Sequence, residues 1–152
     1  MDGPLQLIVY VAVKLLAYIT WCALGVRWLD PQDRSTLRSG LRFGFLRLLL
    51  GVVAGVSIFL VGGMMHWSAW NNILLQYLTV YAPVRWFEWG LMELLIVRNQ
   101  RHSHPWSFLA GGDAKSRLWR FGGIVVSHLA DLPLILGYGG VHDMLPVGRF
   151  LC

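Results

Sequence analysis

Four long apolar runs alternate with short, arginine-rich connections along this chain. They cover Leu5–Val26, Leu48–Met65, Ile73–Val97 and Phe121–Gly139, which is 22, 18, 25 and 19 residues. A helix needs about 20 mostly apolar residues to cross the hydrocarbon layer of a bilayer. The pattern therefore predicts an all-α integral membrane protein. It would be a single polytopic domain over residues 1–152, with four transmembrane helices in a compact bundle. In the first run, no basic residue precedes the apolar stretch, Lys14 interrupts it and no A-x-A cleavage site follows. It is expected to stay as a helix rather than be removed as a leader.

The connection ahead of the second run has a pattern of its own. Arg34, Arg38 and Arg42 are four apart and share one helical face, while Leu37, Leu41 and Phe45 share another. Such an amphipathic stretch suits the headgroup layer, and a short interfacial helix is expected there, before the second span. Pro83 is expected to kink the third helix by freeing the carbonyl of Thr79, and Pro133 to act likewise in the fourth.

Composition agrees with a membrane setting. Hydrophobic residues make up 56% of the chain and charged residues 14%, against about 25% charge in a typical soluble domain. Thirteen Lys and Arg against eight Asp and Glu leave a net charge of +5. With this hydropathy, that excess points to an anionic membrane surface rather than to nucleic acid.

The basic residues are unevenly placed. Arg27, Arg34, Arg38, Arg42 and Arg47 lie between the first two runs, and Arg98, Arg101, Lys115, Arg117 and Arg120 between the last two. The His66–Asn72 connection has none, and the C-terminal segment has only Arg149. By the positive-inside rule the two basic loops are expected in the cytoplasm and both termini on the other side, as in a bacterial inner membrane. Arg34, Arg38, Arg42, Arg98 and Arg101 are the candidate contacts for anionic phospholipid headgroups. Trp21, Trp28, Trp67, Trp70, Trp106 and Trp119 fall near span ends, where tryptophan anchors helices in the interface. Trp86 and Trp89 lie deeper and are expected to serve bundle packing or a partner groove.

The informative residues are ionisable groups inside the runs: Lys14, Arg85, Glu88, Glu93 and Asp131, with His128. A charge at a helix centre costs about 2.5–3.5 kcal/mol on an insertion scale. Two cations against three carboxylates suggest pairing within a bundle. Tyr10, Lys14 and Tyr18 form one stripe at spacing four, and Tyr77, Tyr81, Arg85 and Glu88 a second. Helices one, three and four are thus expected to share a polar seam. The second helix carries Gly51 and Gly55 as a GxxxG pattern, which permits close helix approach within or between protomers.

Cys22 and Cys152 fall at opposite sides of the expected topology and form no disulfide framework. His102 and His104 lack the further ligands a metal site needs, so no metal is expected. Three functional readings fit these residues. One is an accessory or assembly subunit, or a self-associating channel: a homo-oligomer or part of a membrane complex. A second is an enzyme on a lipid or lipid-linked phosphate, with His128 as base, Asp131 orienting it and Glu88 nearby. The third, haem held by His66 and His142, is the weakest, and no cofactor is expected. No nucleophile elbow, HExxH, Walker or CxxC motif is present.

Overall fold

The computed structural model describes residues 3–30, 36–64, 81–97 and 105–137. Within them the chain is all-α. Four long helices, α1 (Gly3–Leu29), α2 (Thr36–Met64), α3 (Ala82–Ile96) and α5 (Ala114–Gly137), are joined by a five-residue helix, α4 (Pro105–Leu109). Two of them are long and apolar enough to cross a membrane: α1 over Ile8–Leu29 and α2 over Thr36–Ile58.

Helix α1 packs most extensively on α2 and next on α5, and α3 closes the bundle against α5 and α2. The α1–α2 approach is set by glycine. A Cβ on Gly40 would come within 2.7 Å of Ala23 Cβ, and one on Gly44 within 2.7 Å of Ile19 Cα. Rising numbers on α2 meet falling numbers on α1, so the two run antiparallel. The motif Gly40-Leu41-Arg42-Phe43-Gly44 is itself a GxxxG, and it continues on the same buried face through Arg47 to Gly51 and Gly55. Gly51 and Gly55 are thus buried, but Gly40 and Gly44 bring the two backbones together.

Several expectations are corrected. The amphipathic stretch is no separate helix: Thr36–Phe45 is the opening of α2, which runs on without a break to Met64. The second long helix therefore begins twelve residues before the apolar run at Leu48. Its arginines did not stop it, because Arg38 and Arg42 stand on its exposed face and only Arg47 turns inward. The last long helix likewise starts at Ala114 rather than at Phe121, capped by Asp113, whose Oδ1 accepts the Ser116 amide at 2.8 Å. Helix α5 continues through Pro133 to Gly137. Pro83 stands in the first turn of α3 as described, and Thr79 and Tyr77 lie outside the described residues.

The core holds Tyr18, Cys22, Val26, Trp89, Met92, Ile96 and Trp119. Trp119, expected in an interfacial belt, is fully buried, edge-on to Trp89 at 5.2 Å. Trp67 and Trp70 lie outside the described residues.

The polarity of the bundle is inverted relative to a water-soluble globule. Lys14, Arg47, Arg85, Glu88, Glu93 and Arg120 are buried, while Leu37, Ile8 and Val53 are 71, 65 and 63% exposed. Along α2 the exposed residues Leu37, Leu41, Phe45, Leu49, Val53, Val56 and Leu60 form one stripe. At 1.5 Å per residue it is about 35 Å long.

Candidate functional site: a buried ladder of ion pairs

The inward faces of the four long helices carry three polar clusters. Their helical periodicity explains why they align: Tyr10, Lys14, Tyr18 and Cys22 of α1 are all buried at spacing four, and so, at spacings of three and four, are Tyr81 at the N-terminal edge of α3 and Arg85, Glu88, Met92 and Ile96 within it.

The first cluster centres on Asp131 of α5. Its Oδ1 accepts hydrogen bonds from Lys14 Nζ at 2.8 Å and from Tyr10 Oη at 2.8 Å, and its Oδ2 from Arg85 Nη2 at 2.6 Å. Lys14 also donates to Tyr10 Oη at 2.7 Å, so one tyrosine hydroxyl links cation and carboxylate. His128 Nδ1 lies 3.0 Å from Arg85 Nη1 and 2.6 Å from the Ile124 carbonyl. A given tautomer serves only one of these, because Arg is always a donor and a carbonyl always an acceptor. Both Asp131 oxygens are engaged by Lys14, Tyr10 and Arg85, so its carboxylate is committed to cations from α1 and α3.

The second cluster joins α2 to α3. Arg47 Nη2 meets Glu88 Oε2 at 2.6 Å, with the Arg47 side chain fully buried. The guanidinium lies 4.9 Å from the ring centres of both Tyr18 and Trp89, which meet edge to face at 5.8 Å. Stacking on two rings holds the cation where hydrogen-bond partners are few. Trp89 Nε1 donates to Ser127 Oγ at 3.3 Å, which donates on to the Gly123 carbonyl at 2.8 Å.

The third cluster joins α5, α3 and α4. Arg120 Nε meets Glu93 Oε2 at 2.7 Å, and its Nη1 donates to the Phe108 carbonyl at 2.7 Å. The guanidinium lies 4.9 Å from the Phe108 ring and 5.5 Å from that of Trp86. Gly90 leaves room for it: a Cβ there would lie 2.8 Å from Nη1.

The sequence pattern predicts a single seam of Lys14, Arg85, Glu88, Glu93 and Asp131. The structure brings Lys14, Arg85 and Asp131 into direct contact, and puts Glu88 and Glu93 in separate pairs. It adds two members, Arg47 and Arg120, which the loop-charge pattern assigns to the cytoplasmic connections. Each sits on a buried stripe that was legible: Arg47 between Gly44 and Gly51, Arg120 between Ser116 and Ser127. The ladder thus holds four cations against three carboxylates.

None of the four ion pairs is bidentate. Among the described residues, Glu88 Oε1, Glu93 Oε1, Arg47 Nε and Nη1, Arg120 Nη2, Tyr18 Oη and Trp119 Nε1 are buried without a hydrogen-bond partner. Such one-armed pairs recover desolvation less fully than forked ones.

Of the candidate headgroup contacts, Arg38 and Arg42 are exposed on α2, while Arg34, Arg98 and Arg101 lie outside the described residues. So do His66, His102, His104, His142, Arg149 and Cys152. Among the described residues no group of three His, Cys, Asp or Glu side chains is placed to hold a metal ion. A shallow apolar groove of about 380 Å³ runs between α1 and α5, lined by Val13, Ala17, Thr20, Trp21, Val126, Leu129 and Ala130. Its only hydroxyl, that of Thr20, is satisfied by the Leu16 carbonyl. Comparison with family models, with curated proteins and with solved structures finds no match to this chain.

Proposed function

We propose that this chain is a small polytopic membrane protein serving as an accessory or assembly subunit, either in a homo-oligomer or in a larger membrane complex. All four long helices cross the bilayer in this reading. The two basic connections face the cytoplasm of a bacterial inner membrane, and both termini face away from it. Arg47 and Arg120 drop out of the loop-charge argument because they are buried in ion pairs. Eight basic residues on one side against one on the other still support the orientation.

The observation that carries the proposal is where the charges go. Lys14, Arg47, Arg85 and Arg120 each meet a carboxylate of another helix in the same chain, and between the clusters Tyr18, Trp89 and Trp119 fill the interior. Ionisable groups spent on their own bundle support an architectural role, and aromatic packing leaves little room for a pore through one protomer. An apolar stripe on α2 is left for lipid or for a second subunit.

Native mass spectrometry of the protein extracted in its own lipids tests this. The expected result is a multiple of 17.2 kDa or a stoichiometric complex with a second polypeptide. A plain monomer overturns the proposal.

A second reading draws on one observation: Asp131, at 17% exposure, is the most accessible carboxylate of the ladder. It keeps the lipid-linked phosphate enzyme alive, with His128 and Asp131 at the site and Glu88 behind them. Turnover of such a substrate by the monomer, lost in His128→Ala with the fold intact, would establish it.

A further inference from the structure

We infer that α4 is a membrane-interface anchor, seating Trp106 and Leu109 in the headgroup and glycerol layer of an anionic phospholipid leaflet. The inference rests on the membrane reading above, but not on the accessory role.

Three observations carry it. First, α4 is tied to the bundle by side chains of α3 and α5 although it has only five residues. The last carbonyls of a helix lack partners within it. Here the Phe108 carbonyl accepts from Arg120 Nη1 at 2.7 Å, and the Leu109 carbonyl accepts from Trp86 Nε1 at 2.8 Å. The rings of Phe87 and Phe108 meet edge to face at 5.7 Å. The bundle thus spends a buried guanidinium and an indole on fixing a short helix whose outer side carries Trp106 at 70% exposure and Leu109 at 47%. A flexible loop would hide such a pair or leave it free; here it is fixed and displayed.

Second, its depth is set by α5. Within one turn the exposed side chains at the start of α5 change from charged, at its cap Asp113 and at Arg117, to apolar, at Leu118, Phe121, Val125 and Leu129. A switch of that kind marks the boundary between headgroups and acyl chains. The Arg120–Phe108 bond fixes α4 at that level.

Third, the charge is complementary to an anionic leaflet. Arg117 folds back over the turn that joins α4 to α5: a Cβ on Gly111 would lie 2.9 Å from Arg117 Cγ, and Nη2 reaches the Gly112 carbonyl at 3.2 Å. Gly111 has φ of +83°, so the tight turn that brings the arginine beside α4 suits glycine. With Arg120 set aside because it is spent on Glu93, residues 98–120 hold four cations and one carboxylate. Indole rings favour this layer, having an apolar body and a donor at the edge.

The test uses the full chain in phosphatidylglycerol vesicles, with lipids brominated either just below the headgroup or near the chain end. The fluorescence of the wild type minus that of Trp106→Phe isolates one indole. The expected result is that this difference is quenched by shallow bromine and spared by deep bromine and by aqueous iodide. Quenching by iodide would place α4 in water, and quenching by none of the three would place it under protein; either overturns the inference. Deep bromine should still quench the Trp106→Phe variant as a whole. Loss of that signal would count against the membrane reading itself, so the two failures are distinguishable. Replacing phosphatidylglycerol by phosphatidylcholine should weaken the shallow quenching, and Arg117→Gln, which removes one of the four cations, should reduce that lipid dependence. No effect of either change would overturn the anionic part of the inference.

Discussion

Arg47 and Glu88 meet at 2.6 Å in the interior of the bundle, one from α2 and the other from α3, with the guanidinium flanked by the rings of Tyr18 and Trp89. Removing one partner leaves the other charge buried and unpaired, at a cost of about 3–5 kcal/mol. Glu88→Leu and Arg47→Met should each lower thermal stability in detergent strongly. The double variant Arg47→Met with Glu88→Leu should recover most of the loss. A double-mutant cycle by denaturant or thermal unfolding reads this directly, and additive losses would show that the pair is not coupled.

Asp131 carries two cations, whereas Lys14 and Arg85 share one carboxylate. Asp131→Asn should therefore destabilise more than Lys14→Met, which leaves the Arg85–Asp131 pair intact. The ranking, read from melting temperatures of the two variants in the same detergent, is the check. The reverse order would mean that Asp131 is held mainly by groups other than these two.

The close approach of α1 and α2 makes Gly40 and Gly44 intolerant of side chains. A methyl on Gly44 would meet the Ile19 backbone at 2.7 Å, which cannot move without shifting the helix. Overpacking of this kind costs about 1–3 kcal/mol. Gly44→Ala should lose stability in that range and Gly44→Leu should fail to assemble the bundle. Circular dichroism melts of the purified variants separate the two outcomes.

Asp113 caps α5, and the hydrogen bond from the Ser116 amide holds its carboxyl below the usual carboxylate range. A lowered value in the folded state means that its contribution is present above the ordinary carboxylate range and is lost as pH falls through the folded value. Asp113→Ala should cost about 0.5–2 kcal/mol near neutrality. The gap between wild type and variant should narrow in acid, as measured by unfolding at a series of pH values. A gap independent of pH would mean that the cap acts without its charge.

Much of this architecture was legible because helical periodicity is a local property. The lengths of the apolar runs led to long helices, and spacings of four put Tyr10, Lys14 and Tyr18 on one face, where all three are buried. The same arithmetic was available for Gly40, Gly44 and Arg47. It was obscured because five arginines between Arg27 and Arg47 read more readily as a loop than as a helix with one face turned inward. What the chain alone did not determine was partnership. Arg85 and Glu88 are a turn apart on α3, yet Arg85 reaches Asp131 of α5 and Glu88 takes Arg47 of α2. Those partners lie 46 and 41 residues away. Which cation meets which carboxylate depends on the register and rotation of packed helices. At α1 and α2, two glycines decide that register by letting the backbones touch, and it exists only once the bundle has formed.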